Sequence, residues 1–149
     1  MNMMPPAVPA GSSDAAATRA VIAAAQLLLP DLEAGRRIDA TRLRAAMEAP
    51  FGASDAAGAW DWKTAYEATE AATVLFLRRY GRALLRKAGS SAAMLPLLAR
   101  ITGLLPSQTR RSEEMQARQQ FSSPVPLGLA AVTAAAITPA DRVLEPSAG

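Results

Sequence analysis

Apolar residues recur at three- and four-residue steps along much of this chain, the period of a helix with one buried face. Over Ala15–Leu29 the recurring positions are Val21, Ile22, Ala25, Leu28 and Leu29. Ser12, Ser13 and Asp14 precede them as capping residues, and Pro30 is expected to close the helix. Asp39 is placed to cap a second, shorter helix over Ala40–Ala49, with Leu43 and Met47 one turn apart. Residues 50–58 are rich in turn formers and read as a connecting loop. The longest element is predicted from about Asp61 to Lys87. Trp62, Tyr66, Thr69, Thr73, Phe76, Leu77, Tyr80 and Leu84 define one face of it, while Arg78, Arg82 and Arg86 repeat every fourth residue on another. The aromatic stripe has the spacing of a buried face and is expected to be core rather than a base-stacking platform. Gly81 weakens this helix by up to about 1 kcal/mol relative to alanine without having to break it. After Ser90–Ser91 a further helix is predicted over Ala92–Leu105, with Met94, Leu97, Leu98, Ile101, Leu104 and Leu105 apolar. Pro96 near its first turns predicts a late start or a kink.

The pattern changes beyond residue 111. Ser112–Gln120 reads as a polar helical turn or two, and Ser122-Ser123-Pro124 offers a cap with proline early in the next helix. Val125–Ile137 is almost wholly apolar or alanine, and Thr138–Asp141 breaks it. Arg142-Val143-Leu144 then reads as a short strand running into a sharp turn of small residues, Glu145–Gly149. In doubly wound sheets a strand ending in such a turn, with a helix to follow, brings backbone amides up to a nucleotide-like ligand. The chain therefore divides into a disordered, proline-containing lead-in (1–13), a helical domain (14–111) and a helix–strand unit (112–149), with no internal repeat. The fold class is mainly α: a helical N-terminal domain followed by the first helix–strand unit of an incomplete α/β domain.

Composition narrows the chemistry. Half of the chain is apolar, but much of that is alanine and aromatics are only 5%, so the core is expected to be modest at roughly 25 cal/mol per Å² of apolar surface buried. Without cysteine there is no disulfide framework or thiolate metal site, and without histidine no imidazole acid–base catalysis or zinc ligation. Catalysis would have to rest on carboxylates, lysine, hydroxyls or backbone groups. The start has no basic n-region, and no apolar run of bilayer-spanning length is read from the sequence, so a cytoplasmic protein without membrane or metal partners is expected. Net charge is +3, yet between Ala71 and Ser112 there is no acidic residue. Arg78, Arg79, Arg82, Arg86, Arg110 and Arg111 fall there, together with Lys87 and Arg100. Such a run is either a solvated basic face or a surface for a phosphate backbone, as of DNA. Nothing resembles a recognition helix for sequence-specific readout.

Gln119-Gln120-Phe121-Ser122-Ser123-Pro124, a helix, and then Val143-Leu144-Glu145-Pro146-Ser147-Ala148-Gly149 resembles the start of an amino-group DNA methyltransferase. In that family a Phe-Ser/Thr-Pro element precedes the first strand, and the strand ends in Glu-Pro-x-x-Gly-x-Gly. More closely, the run from Arg110 to Gly149 is similar to bacterial strawberry notch-like proteins, large methylase/helicase chains. Gly58–Tyr66 and Phe76–Tyr80 also resemble the helical leader of that group, so the likeness covers almost the whole chain.

The resemblance implies a Rossmann-like methyltransferase unit and an S-adenosylmethionine site formed by Phe121, Ser123, Pro124, Glu145, Pro146, Ser147, Ala148 and Gly149. Ser123 matches a family position that is often threonine, whose hydroxyl meets the methionine moiety. Pro124 would aim the following helix N-terminus at the ligand carboxylate. Glu145 would accept from the ligand ammonium or brace the turn, and the small residues would let backbone amides approach closely. The loop's second glycine, the acidic residue for the ribose and the Asp/Asn-Pro-Pro-Tyr/Phe element all fall beyond residue 149. The strand has no ladder partner within the chain. Residues 1–149 are therefore expected to contain no catalytic residue and to bind the cofactor weakly or not at all, as the N-terminal part of a methylase/helicase whose partners are DNA and the remainder of that chain. The alternatives are a non-enzymatic helical interaction module and a module that binds the DNA backbone.

Overall fold

Side-chain oxygens hold the first free amides of most of the helices, which is why the helices begin where they do. The computed structural model describes residues 11–108 and 123–144. Their regular structure is helical: α1 (Gly11–Glu33), α2 (Ala40–Phe51), α3 (Trp62–Ala88), α4 (Ser91–Thr102) and α5 (Val125–Ala134), with a 3₁₀ turn at Asp55–Ala57. Asp39 accepts from the Arg42 amide at 2.8 Å, as predicted for α2, and Asp61 accepts from the Thr64 amide at 2.8 Å at the start of α3. Ser90 does the same for α4 through Ala93. Gly89 closes α3 with φ at +79°, a left-handed conformation suited to glycine.

The core is built where α1, α2 and α3 meet. α1 contributes Ala24, Ala25, Leu28 and Leu32, α2 contributes Leu43, Ala46 and Met47, and α3 contributes Ala65, Tyr66, Ala68, Ala72 and Phe76. Ile38 and Trp60 enter from the connections. Thr69 and Thr73 are buried in the same seam; their hydroxyls donate to the carbonyls of Tyr66 and Thr69, which removes the cost of burying them. The C-terminal end of α4 closes over this core: Ile101, Leu104 and Leu105 pack on it, and the Leu104 carbonyl accepts from the Ile38 amide at 2.7 Å.

Several expectations need correction. α1 begins at Gly11, so Ser12–Asp14 lie inside its first turn rather than in front of it. Nor does Pro30 end it, since α1 runs on to Glu33. One lost backbone hydrogen bond is outweighed there by burial of Leu32 and by the ion pairs of Asp31. α1 is also long and apolar enough, by length and composition alone, to cross a membrane, contrary to the sequence reading. Its Ala24, Ala25, Leu28 and Leu32 are buried in the core with α2 and α3, while Ile22 and Leu27 are exposed. Pro96 neither delays nor shortens the start of α4, because Met94 and Leu98 on either side of it are buried. α4 stops at Thr102 and α5 at Ala134, three residues short of each prediction, and Ala136 takes a φ of +51° just past the end of α5.

Arg142–Leu144 forms no strand. Val143 and Leu144 are 66% and 86% exposed, and with no neighbouring strand among the described residues there is no ladder to fix them. Of the helix–strand unit, the helix is formed and the strand is not. The polar turn expected at Ser112–Gln120 lies outside the described residues.

Candidate functional site

Ser123 and Pro124 stand immediately before α5. Ser123 is exposed, and no hydrogen bond of its hydroxyl is made among the described residues. Pro124, at φ −55°, is the N-cap and supplies no side-chain cap. The amides of Leu127 and Gly128 both return to its carbonyl, at 2.9 and 3.1 Å, and Pro126 has no N–H. Among the described residues the Val125 amide is thus the donor left open at this helix end. One amide with the helix dipole favours an anion by about 0.3–1 kcal/mol at an exposed site.

At the other end of α5, Asp141 closes a tight turn. Its carboxylate accepts from the Thr138 amide at 2.7 Å and the Thr138 hydroxyl at 2.8 Å, and these bonds hold its pKa below the ordinary carboxylate value. Asp141 is therefore a turn brace rather than a proton acceptor. No hydrogen bond or ion pair among the described residues joins Ser123–Pro124 to Arg142–Leu144. Phe121, Glu145, Pro146, Ser147, Ala148 and Gly149 lie outside the described residues.

The six candidate arginines separate into different roles. Arg78, Arg82 and Arg86 lie exposed on one side of α3, and none has an acidic partner among the described residues. Arg79 does: it meets the Glu33 carboxylate at 2.9 Å and lies over the Tyr80 ring at 5.4 Å from its centroid. The Tyr80 hydroxyl donates to the same carboxylate oxygen at 2.9 Å, and this bond, with some burial, raises the Tyr80 pKa. Arg79 and Tyr80 together fasten α3 to the end of α1. Arg110 and Arg111 lie outside the described residues, which leaves Arg78, Arg82 and Arg86 as the exposed members of the set with no acidic partner among the described residues.

Sequence reasoning singled out neither of two carboxylate clusters. Asp31, almost buried, accepts from Arg36 at 2.9 Å and from Arg42 at 2.8 Å; Arg42 also donates to the Leu27 carbonyl. Burial pushes the Asp31 carboxyl up, but the hydrogen bonds and charges of Arg42 and Arg36 prevail and hold it below the usual value. Asp55 accepts from the Trp62 indole at 3.1 Å and pairs with Arg44 at 3.4 Å, while the Arg44 guanidinium lies over the Trp62 ring. Some desolvation raises the Asp55 pKa, and Arg44 and Trp62 more than offset it. Both carboxylates are fixed by donors and ionise more readily than usual, the opposite of what a general acid needs. No spacing rule announces them, because their partners come from different elements. Among the described residues no group of histidines, cysteines or carboxylates converges to hold a metal ion.

No protein-family model matches the chain, and no curated protein or solved structure is significantly similar to it.

Proposed function

We propose that this chain is the helical leader and the opening helix–strand unit of a bacterial strawberry notch-like methylase/helicase, carrying one side of an S-adenosylmethionine site and no catalytic group of its own. The observation that carries the reading is the arrangement around α5. Ser123 and Pro124 lie directly before a helix N-terminus with no side-chain cap, and Arg142–Leu144, which precedes Glu145-Pro-Ser-Ala-Gly149 in the sequence, follows the turn at the other end of the same helix. The ligand carboxylate would sit at the Val125 amide with the Ser123 hydroxyl beside it. Glu145 would take the ligand ammonium, and the small residues 146–149 would admit the ligand to backbone amides. S-adenosylmethionine supplies the methyl group. The group that holds the accepting amine would come from the rest of that protein, in the cytoplasm and on DNA.

Isothermal titration with S-adenosylmethionine tests this. A chain extended past Gly149 through its downstream coding sequence is expected to bind, residues 1–149 weakly or not at all, and Ser123→Ala in the extended chain to weaken binding by about tenfold, the worth of one hydrogen bond to a charged group. A downstream reading frame with no second glycine and no Pro-Pro-aromatic element would sink the proposal.

The free arginines favour a DNA contact within the same reading. If Arg78, Arg82 and Arg86 each neutralise a phosphate, log K for duplex DNA falls against log salt with a slope of roughly −3, at about −0.9 per contact. Changing all three to glutamine should flatten that slope. No binding at low salt, or a slope unchanged in the triple variant, removes the arginines from DNA contact.

A further inference from the structure

A cavity of about 370 Å³ opens between α3, α4 and α5, walled by Leu77, Gly81 and Leu85, by Met94 and Leu98, and by α5. Its volume lies within the roughly 300–1,000 Å³ of small-molecule sites. The lining includes no charged or hydrogen-bonding side chain. Two of its residues are helical glycines, Gly81 on α3 and Gly128 on α5. Neither has the positive φ that calls for glycine. A Cβ at Gly81 would meet nothing nearer than Leu77 at 3.8 Å, and one at Gly128 would meet nothing within 4 Å. Each glycine costs its helix up to about 1 kcal/mol relative to alanine, and neither backbone conformation nor packing repays it. What the two glycines do provide is the open volume.

The charge beside this cavity is one-sided. Arg78, Arg82 and Arg86 each follow a lining residue of α3 by one position, about 100° round the helix, so this arginine stripe, which has no acidic partner among the described residues, borders the lining stripe. We propose that the cavity binds a small amphiphilic anion, with its apolar body between α3, α4 and α5 and its charged end on Arg78, Arg82 and Arg86. An apolar lining rejects a fully polar ligand, which would lose its water without compensation. A neutral hydrocarbon would leave the arginines unused.

The proposal does not depend on the methylase/helicase reading, and fluorescence of 8-anilinonaphthalene-1-sulfonate with the folded chain tests it. The dye should brighten, and laurate below its micelle concentration should displace it. Dodecanol should need about tenfold more, the worth of one charge-assisted hydrogen bond, and dodecyltrimethylammonium should compete no better than dodecanol. Gly81→Leu, which fills the cavity and favours helix, should abolish laurate binding while helical circular dichroism and Tm hold or rise; Gly128→Leu repeats the test from the opposite wall. Changing Arg78, Arg82 and Arg86 to glutamine should weaken laurate and leave dodecanol unchanged. Duplex DNA would compete for the arginines but bind the Gly81→Leu chain normally, which separates the two ligands. Undiminished laurate binding in both glycine variants, or equal affinity for laurate and dodecanol at low salt, overturns the proposal. So does a dimer in sedimentation that Gly81→Leu dissolves, which would assign the cavity to a second copy of the chain.

Discussion

Leu28→Ala is expected to lower the stability of the helical core by about 3–4 kcal/mol, the middle of the range for deleting a buried leucine. Leu28 is fully buried, at 0% exposure, in a core cluster that joins Ala24, Ala25, Ala46, Ala65, Ala68 and Ala72 to larger side chains such as Leu43, Met47 and Tyr66. The cost of such a deletion depends on how far the surroundings collapse into the space. The alanines of the cluster have no rotamers with which to follow, so collapse should be partial and they should lose their contacts outright. A change of this size corresponds to a fall in Tm on the order of 15 °C for a domain of about 100 residues. Thermal unfolding followed by circular dichroism measures it, with Val74→Ala as the control. Val74 lies on α3 but is more than half exposed, so its truncation should change stability by less than about 0.5 kcal/mol. Equal effects of the two substitutions would mean that the α1–α3 seam is not the stabilising core.

Asp31→Asn is expected to cost about 1–2 kcal/mol at neutral pH. Hydrogen bonds to charged groups are worth about 1.5–3 kcal/mol, but Arg36 is 62% exposed, so its share is screened toward the low value of surface pairs. The sign of the pH dependence follows from the depressed folded-state pKa of Asp31. In the unfolded chain the group titrates near the ordinary aspartate value of about 3.9. Above that value both states are ionised and the stabilisation is fully present. As the pH falls through the lower folded-state pKa the carboxyl is protonated in both states and the contribution is lost. Urea unfolding of wild type and Asp31→Asn should therefore give a stability gap that is constant from neutral pH down to about pH 4 and closes below it. A gap that persists unchanged in strong acid would show that the charge of Asp31 is not what holds α1 to α2. Arg42→Gln should be less than additive with Asp31→Asn, since the two side chains share one interaction.

The elements of the fold legible in the sequence are those set by local chemistry. Asp39 is readable as a cap because a short acceptor before a periodic run has one effective use. The buried face of α3 is readable because Tyr66, Thr69, Thr73 and Phe76 keep helical spacing. The failures share a different cause. Pro30 reads as a stop on local grounds, and only burial of Leu32 beside it, with Asp31 in the reach of Arg36 and Arg42, makes continuation favourable. Trp60 sits in a turn-rich approach to α3 with no periodic spacing to mark it, yet it is core, its indole donating to the Ala53 carbonyl at 3.0 Å. Arg79 reads as one more member of a basic run and is instead the partner of Glu33, because residues next to each other on a helix point different ways. In the candidate site, Ser123 and Pro124 stand directly before α5, and Arg142–Leu144, expected as a strand, has no neighbouring strand among the described residues.

The alanines between α1 and α3 set an unusual limit on how this protein can change over time. A seam of large side chains tolerates drift, because loss at one position can be made good by gain across the interface. Here Ala24, Ala25, Ala65, Ala68 and Ala72 are already near the smallest side chain available, and all are fully buried. Their only smaller replacement, glycine, loosens the helix itself. Any larger residue must push the two rigid rods away from each other, because the spacing of packed helices is set by the side chains between them. The permissive direction is closed on both sides, so substitutions should accumulate on the solvent faces of these helices while the seam between them stays alanine.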